Sequence, residues 1–140
     1  IFFRMGCCTT KMASIRSDVM QYCAVNLPVG AFFWLWALKN MTLGGIPFDL
    51  GIVSFAVATL GAGAGLVSVM QPEARVWRTV HYFVYVGGCG FVSANYVLGL
   101  VMVHKLGFQV YCALAALYWL ASAVYGHQKA SAWRLEEQLP

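Results

Sequence analysis

Four long apolar stretches constrain the fold of this chain more than any other feature. They cover residues 22–38, 50–70, 79–103 and 106–126. The last three reach the roughly 20 residues that an α-helix needs to cross a bilayer. The first is shorter and contains Asn26 and Pro28, but we expect Pro28 in its opening turns, where a missing amide donor costs little. No Asp, Glu, Lys or Arg lies deep within any stretch, so we predict four membrane-spanning helices.

The overall composition agrees with a chain whose solvent is lipid. Hydrophobic residues make up 61% of the sequence, charged residues make up 10%, and the mean hydropathy is +0.70. Soluble domains are about 45–50% apolar and about 25% charged. A bilayer accepts such a chain once every backbone polar group is hydrogen-bonded within a helix. The basic residues are scattered at the ends of the stretches rather than gathered into one stripe, which argues against nucleic-acid binding.

Short joints between the stretches predict the arrangement of the helices. The joint His104-Lys105 is so short that the third and fourth helices must run antiparallel as neighbours. We therefore expect an all-α membrane protein, an up-down four-helix bundle with both termini on the same side. Residues 1–21 form a polar or amphipathic segment, 22–126 the transmembrane domain and 127–140 a C-terminal tail. The chain begins with Ile1 rather than Met, which is compatible with removal of a targeting segment.

The basic residues also predict an orientation. Lys39 and Lys105 fall on one side of the predicted bundle, and the other seven of the nine fall on the side of the termini. Those seven are Arg4, Lys11, Arg16, Arg75, Arg78, Lys129 and Arg134. By the positive-inside rule, this side faces the compartment that is topologically inside.

Small residues and one amide in the second and third stretches predict close helix packing. Gly61 and Gly65 form a G-x-x-x-G pattern, which lets helix backbones approach in lipid. Asn26 and Asn95 carry amides within hydrocarbon, and such groups are expected to find partners on neighbouring helices. We expect packing within the bundle, with docking to another subunit as the alternative. The predicted packing residues are Ser54, Ala58, Gly61, Ala62, Gly65, Gly87, Gly90, Ala94 and Asn95.

Two groups of polar residues suggest ligands on the side of the termini. Arg75, Arg78, Lys129 and Arg134 suggest contacts with the head group of an anionic lipid such as cardiolipin; the alternative is the inside-positive bias alone. His81 and His127 lie on the same side, so they are candidate axial ligands of one haem. The alternative is that both are interfacial imidazoles facing head groups or carbonyls. The five cysteines form no C-x-x-C pair, and no zinc site or disulfide framework follows.

The small-residue pattern resembles a known family. The second stretch is rich in Gly and Ala, a short charged joint follows, and the third and fourth stretches contain HYFVYVGGCG (residues 81–90) and YCALAA (residues 111–116). Between Ser54 and Trp133 the chain is similar to the mitochondrial inner-membrane translocase family, and within it to a four-helix accessory subunit of respiratory complex I. The resemblance implies that both termini face the intermembrane space, whereas the charge bias predicts the matrix.

The resemblance implies a structural rather than a catalytic role. It implies a multi-pass, non-enzymatic subunit of a respiratory complex in the mitochondrial inner membrane, in contact with other membrane subunits and with lipid. This agrees with the absence of a recognisable catalytic centre and of a basic stripe in the sequence, so we expect no cofactor of its own, no small-molecule substrate and no nucleic-acid partner. Two other functions are weighed beside it: a channel component of a protein translocase, which should carry polar groups along a groove, and a haem-binding anchor of an electron-transfer complex.

Overall fold

The computed structural model describes residues 2–39, 46–73, 75–102 and 104–138, and nearly all of them are helical. The helices are α1 (Phe2–Lys39), α2 (Ile46–Met70), α3 (Arg75–Val80), α4 (Val86–Met102) and α5 (Leu106–Gln138). A short π-helix, His81–Tyr85, connects α3 to α4. Residues 40–45 of the first joint, and residue 103 at the end of the third stretch, lie outside the described residues.

Within the described residues, four helical segments are long and apolar enough to cross a membrane, as in a multi-pass membrane protein. They are Lys11–Lys39, Leu50–Met70, Arg75–Met102 and Leu106–Glu136. The segments pack in a ring in which α1 contacts α2, α2 contacts the third segment, α4 contacts α5, and α5 returns to α1. The prediction of an all-α four-helix bundle is confirmed.

The first and last helices are longer than the apolar stretches that predicted them. α1 has 38 residues and α5 has 33, which at about 1.5 Å per residue gives roughly 57 and 50 Å against a hydrocarbon core of about 30 Å. Residues 2–21 and 127–138 therefore continue these helices, where the sequence predicted a separate segment and a tail. The extensions are helical because an apolar face persists along them. Ile15 and Val19 of α1 and Ala130 and Trp133 of α5 are buried.

Pro28 lies in the interior of α1, not in its opening turns as expected, because the helix begins at Phe2. Proline has no amide hydrogen, so the carbonyl of Ala24 loses its usual helical partner. Transmembrane helices tolerate such a gap because neighbouring groups satisfy the freed backbone. α1 accordingly continues past Pro28 to Lys39.

The buried core runs along the centre of the ring and is rich in aromatic side chains. Phe55 stacks on Phe33 with ring centroids 5.5 Å apart and meets Trp119 edge-on at 5.8 Å. At one end of the bundle, Lys11 of α1 forms an ion pair with Glu136 of α5, so the first turns of α1 and the last turns of α5 lie side by side. This end carries most of the polar contacts described below.

Candidate functional site

His81, the first residue of the π-helix, is buried within the bundle and only 2% exposed. Its Nδ1 lies 2.8 Å from the carbonyl oxygen of Gly61, which can only accept a hydrogen bond, so Nδ1 carries the proton. Nε2 therefore accepts, and the Tyr22 hydroxyl donates to it at 2.5 Å. Both ring nitrogens of His81 are engaged by protein atoms on α1 and α2.

Two glycines of α2 let the π-helix approach closely enough for this contact. A Cβ atom at Gly65 would lie 2.6 Å from Nδ1 of His81, and a Cβ atom at Gly61 would overlap the backbone of Tyr85. A side chain at either position would push the third span away from α2. The two glycines of the G-x-x-x-G pattern are thus needed for His81 to contact α2, because larger side chains would overlap the π-helix.

Tyr85, the last residue of the π-helix, lies in the same buried region as His81. Its side chain is fully buried, and its hydroxyl has no hydrogen-bond partner of good geometry. Its polar neighbours are the thiols of Cys23 and Cys89, which are weak hydrogen-bonding groups. The interior beside His81 therefore holds a phenol and two free thiols among apolar residues.

A groove of about 340 Å³ lies on the outside of the bundle between α1 and α5, next to Tyr22 and Tyr85. We call it the α1–α5 groove. It is lined by Asp18, Gln21, Tyr22, Val25, Asn26, Tyr85, Tyr118, Ser122 and Tyr125. The seam between α1 and α5 is the most sparsely packed of the four seams in the ring, which leaves room for the groove.

A polar bridge between α1 and α5 closes each end of the groove. At one end the Lys129 ammonium donates to Asp18 Oδ2 at 2.5 Å. At the other, the Tyr118 hydroxyl donates to Asn26 Oδ1 at 2.8 Å. Asp18 and Asn26 are eight residues apart on α1, a rise of about 12 Å. The groove therefore begins at an ion pair near the polar end of the bundle and stops at an amide deeper within the span.

The sequence interpretation predicted a neighbouring-helix partner for Asn26 but did not predict a groove, although the spacing of the other lining residues carried a signal. Asp18, Tyr22 and Asn26 follow one another at intervals of four along α1. Tyr118, Ser122 and Tyr125 follow at intervals of four and three along α5. Each set lies on one helix face. A polar face on each of two apolar helices is the pattern that predicts a polar seam, but it does not tell which two helices meet.

Cationic and aromatic side chains alternate at the polar end of the bundle. Trp133 is buried between two guanidinium groups, with Arg16 at 5.8 Å and Arg78 at 5.4 Å from its ring centroid. Arg78 also donates to the carbonyl of Pro72. Arg134 lies 4.3 Å over the ring of Tyr82. These cation–π contacts fix Arg16 and Arg78 against α5, and Arg134 against the π-helix.

The four residues predicted to contact a lipid head group do not form one site. Arg78 and Arg134 line the same small recess beside His81. Lys129 is instead held by Asp18 at the end of the α1–α5 groove. Arg75 is exposed at the start of α3. Arg78 and Arg134 are thus the pair that the structure brings together.

The two candidate haem ligands lie in different environments in the structure. His127 is exposed, and its Nδ1 lies 2.9 Å from the Tyr82 hydroxyl. His81 is buried, and the lone pair of its Nε2 accepts the proton of Tyr22. An axial ligand must offer a free nitrogen lone pair to the iron. The contacts of His81 therefore do not fit a haem held between these two histidines.

The predicted packing residues of α2 face the interior, but two glycines of α4 do not. Ala58 and Ala62 are buried, and it is Gly88 that meets α2, because a Cβ atom there would lie 2.6 Å from the backbone nitrogen of Ala58. Gly87 and Gly90 have open space where a Cβ atom would stand. Among the other predicted residues, Ala94 is exposed, and Asn95 donates to Ser54 Oγ across α2 and α4 at 2.9 Å.

A second cavity, of about 200 Å³, lies toward the opposite end of the bundle and is mostly apolar. Its polar lining includes Asn95 and the hydroxyls of Tyr96 and Tyr111, which are 3.0 Å apart. It offers a volume for a small apolar group.

Neither a metal site in the described part of the chain nor a similar known protein points to a function for this chain. Among the residues that the structure describes, no three His, Cys, Asp or Glu side chains are grouped so as to hold a metal ion. Neither a family model, nor a curated protein, nor a solved structure matches this chain. The exterior of the bundle and the polar groups described above are the features that bear on function.

Proposed function

We propose that this chain is a non-catalytic structural subunit of a mitochondrial inner-membrane respiratory complex, specifically an accessory subunit of complex I. The observation that carries the proposal is a stripe of small residues on the outside of α4, formed by Gly87, Gly90 and Ala94. We call it the α4 stripe. These positions are three and four residues apart and share one helix face. The bundle itself does not use that face.

Small residues on an outer helix face are informative in a membrane. Lipid chains fill the space around bulky side chains as well as around small ones, so lipid alone gives no reason for a flat stripe. A second helix does, because small residues let two backbones approach and gain van der Waals contacts. Phe91 and Val97, which are exposed on the same helix, provide larger side chains around the stripe. The α4 stripe therefore supports docking to another membrane subunit.

The identity of the complex depends on the family resemblance of the sequence, not on the stripe. The resemblance points to the mitochondrial inner membrane and to complex I. In that setting, Arg134, at the recess that buried Arg78 also lines, would lie at the membrane surface, where its guanidinium group contacts a phosphate of an anionic lipid such as cardiolipin. The lipid would then be a shared component of the subunit interface.

The runner-up function, a channel component of a protein translocase, is less well supported. The α1–α5 groove does place polar groups along a span, as such a channel requires. However, the Asn26–Tyr118 bridge closes its inner end, and the groove extends only about 12 Å along α1. A groove that stops within the span does not provide a path for a polypeptide.

Leucine substitutions in the α4 stripe test the proposal. We expect tagged wild-type protein, solubilised from mitochondria in mild detergent, to co-migrate with complex I. Gly90→Leu and Ala94→Leu should move most of the protein to small particles, because a bulky side chain holds the partner helix away. Ala121→Leu, at an exposed position on α5, is the matched control and should leave co-migration unchanged.

Two results would contradict the proposal. Wild-type protein that runs alone as a small particle would show that it is not a subunit of a large complex. Co-migration that both stripe variants retain would show that α4 does not provide the contact. Thermal unfolding of the purified variants separates loss of docking from loss of folding.

A further inference from the structure

The α1–α5 groove has a polar and aromatic lining on the outer surface of a membrane-spanning bundle. Val25, on its rim, is 57% exposed, so the groove opens sideways from the bundle. Hydrocarbon chains would leave the amide and hydroxyl groups of this lining without partners, which is costly in lipid. The groove therefore suits a lipid-soluble molecule that carries a polar head group.

The charges of the groove argue that this head is uncharged. Asp18, the charged residue of its lining, is neutralised by the Lys129 ammonium in an ion pair at the end of the groove. A phosphate or a quaternary ammonium group would have to break that pair to gain a counter-ion. The inner end of the groove, at Asn26, lies about 12 Å from the ion pair along α1. A phospholipid head group, which stays at the membrane surface, would not reach it.

Asn26 and Tyr125 in the lining each keep a donor hydrogen without a partner, so a head group that carries acceptors would satisfy both. Asn26 uses one amide hydrogen for the carbonyl of Tyr22, at 2.9 Å, and its oxygen accepts from Tyr118, which leaves the second amide hydrogen uncommitted. The Tyr125 hydroxyl lies beside the Lys129 ammonium, which has only hydrogens to give. The phenolic proton of Tyr125 is therefore also uncommitted.

The spacing of these two donors fits a ring with an oxygen on opposite sides. The ring of Tyr125 contacts the ring of Tyr22 edge-on, with centroids 5.6 Å apart, and its hydroxyl lies beside Lys129, at the Asp18 end of the groove. Asn26 is eight residues beyond Asp18 on α1, a rise of about 12 Å, which leaves room for a ring with a hydrogen bond of about 3 Å at each end. Tyr22 and Tyr118 add aromatic rings to the lining. A planar ring can stack there while each of its carbonyls reaches one donor.

From these contacts we propose that the α1–α5 groove binds the head group of an isoprenoid quinone. The two carbonyl oxygens accept hydrogen bonds from Tyr125 and from the Asn26 amide, the ring packs against tyrosine, and the isoprenoid chain leaves through the lateral opening beside Val25. The proposal concerns binding alone and includes no electron transfer. It goes beyond the proposed structural role and does not depend on it.

Fluorescence quenching by a short-chain ubiquinone tests the site. The full chain is placed in phosphatidylcholine nanodiscs, and tryptophan emission is followed as a ubiquinone with two isoprenoid units is added. We expect saturable quenching, because Trp119 packs against Tyr118 with centroids 5.5 Å apart. Tyr125→Phe should weaken binding roughly two- to tenfold, the effect of one hydrogen bond. Ser122→Leu, which fills the groove, should weaken it at least tenfold.

Matched substitutions outside the groove provide the controls. Tyr111→Phe removes a hydroxyl from α5 at a side chain 39% exposed, close to the 40% of Tyr125. Ala121→Leu adds the bulk of leucine beside Ser122 but outside the lining. Both should bind the quinone as the wild type does. If Ser122→Leu does not fold, Tyr125→Phe against Tyr111→Phe decides the question.

Three outcomes would overturn the proposal. Quenching that rises linearly with quinone concentration would indicate partition into lipid only. Equal affinity of wild type and Tyr125→Phe would show that the predicted hydrogen bond is not made. Displacement of the quinone by an equal concentration of cholesterol, which has a hydroxyl and no carbonyl, would show that the groove accepts any flat apolar molecule.

Discussion

His81 and His127 show how the same side chain takes two roles at neighbouring positions of the bundle. Each meets a tyrosine hydroxyl, but His81 is enclosed and bonded at both nitrogens, whereas His127 is exposed and meets Tyr82 at its surface. A buried acceptor left without its partner costs more than an exposed one, because water or a head group can replace a lost surface contact. The two contacts therefore make a matched pair for mutation.

Tyr22→Phe should destabilise the protein by about 1 kcal/mol or slightly more, because it leaves Nε2 of buried His81 without a donor. Tyr82→Phe removes the exposed tyrosine–histidine contact and should change the free energy of unfolding by much less. Equilibrium unfolding in mixed micelles measures both. Equal effects of the two substitutions would mean that His81 gains no more from its tyrosine than His127 does.

At the scale of the elements, the π-helix His81–Tyr85 decides which face of α4 points inward. A π-helical turn places an additional residue in the helix, which rotates everything after it relative to an uninterrupted α-helix. Of the three glycines at the start of α4, Gly88 consequently contacts α2, while Gly87 and Gly90 point away. The rotation separates the packing face from the α4 stripe.

Adjacent glycines give a direct test of this rotation. Gly88→Ala should destabilise the isolated protein by about 1–3 kcal/mol, because the new methyl group overlaps the backbone of Ala58. Gly87→Ala should be neutral or stabilising by up to about 1 kcal/mol, since the methyl group enters open space and alanine favours the helix. Thermal or denaturant unfolding of the purified variants reports both values. A reversed order would contradict the orientation of α4.

At the scale of the whole molecule, ion pairs and hydrogen bonds between α1 and α5 close the ring. Lys11 with Glu136, Lys129 with Asp18, and Tyr118 with Asn26 connect these two helices along their shared seam. The seam is otherwise sparsely packed. The polar bridges therefore hold the bundle closed while leaving the α1–α5 groove between them.

A charge exchange tests this closure. Asp18→Lys or Lys129→Asp alone should each cost up to about 1 kcal/mol, a modest value because both side chains are partly exposed. The double variant Asp18→Lys, Lys129→Asp restores opposite charges and should recover most of the loss. Unfolding in mixed micelles at low and high salt measures the coupling. Losses that simply add in the double variant would show that the two residues do not interact across the seam.

The sequence by itself determined the four spans and their all-helical class. Uncharged apolar stretches of about 20 residues have few alternatives, because a backbone in lipid must satisfy its own hydrogen bonds. The same local logic indicated the small residues of α2. The apolar stretches did not predict the full lengths of α1 and α5. Polar residues are mixed into the ends of these helices, although one face there, which includes Val19 and Trp133, is apolar and packs in the core.

Only the tertiary structure decided which faces meet. Asn26 and Tyr118 are 92 positions apart in sequence, and no local pattern states that α5 returns to α1. The π-helix likewise changes the rotation of α4 about its axis. The glycine cluster therefore predicted that α4 packs closely against a neighbour, but not which of its glycines makes the contact. Composition and helical periodicity act within one segment, whereas the groove and the α4 stripe depend on how four segments rotate against one another. That rotation is set by the combined fit of all the side chains in the core.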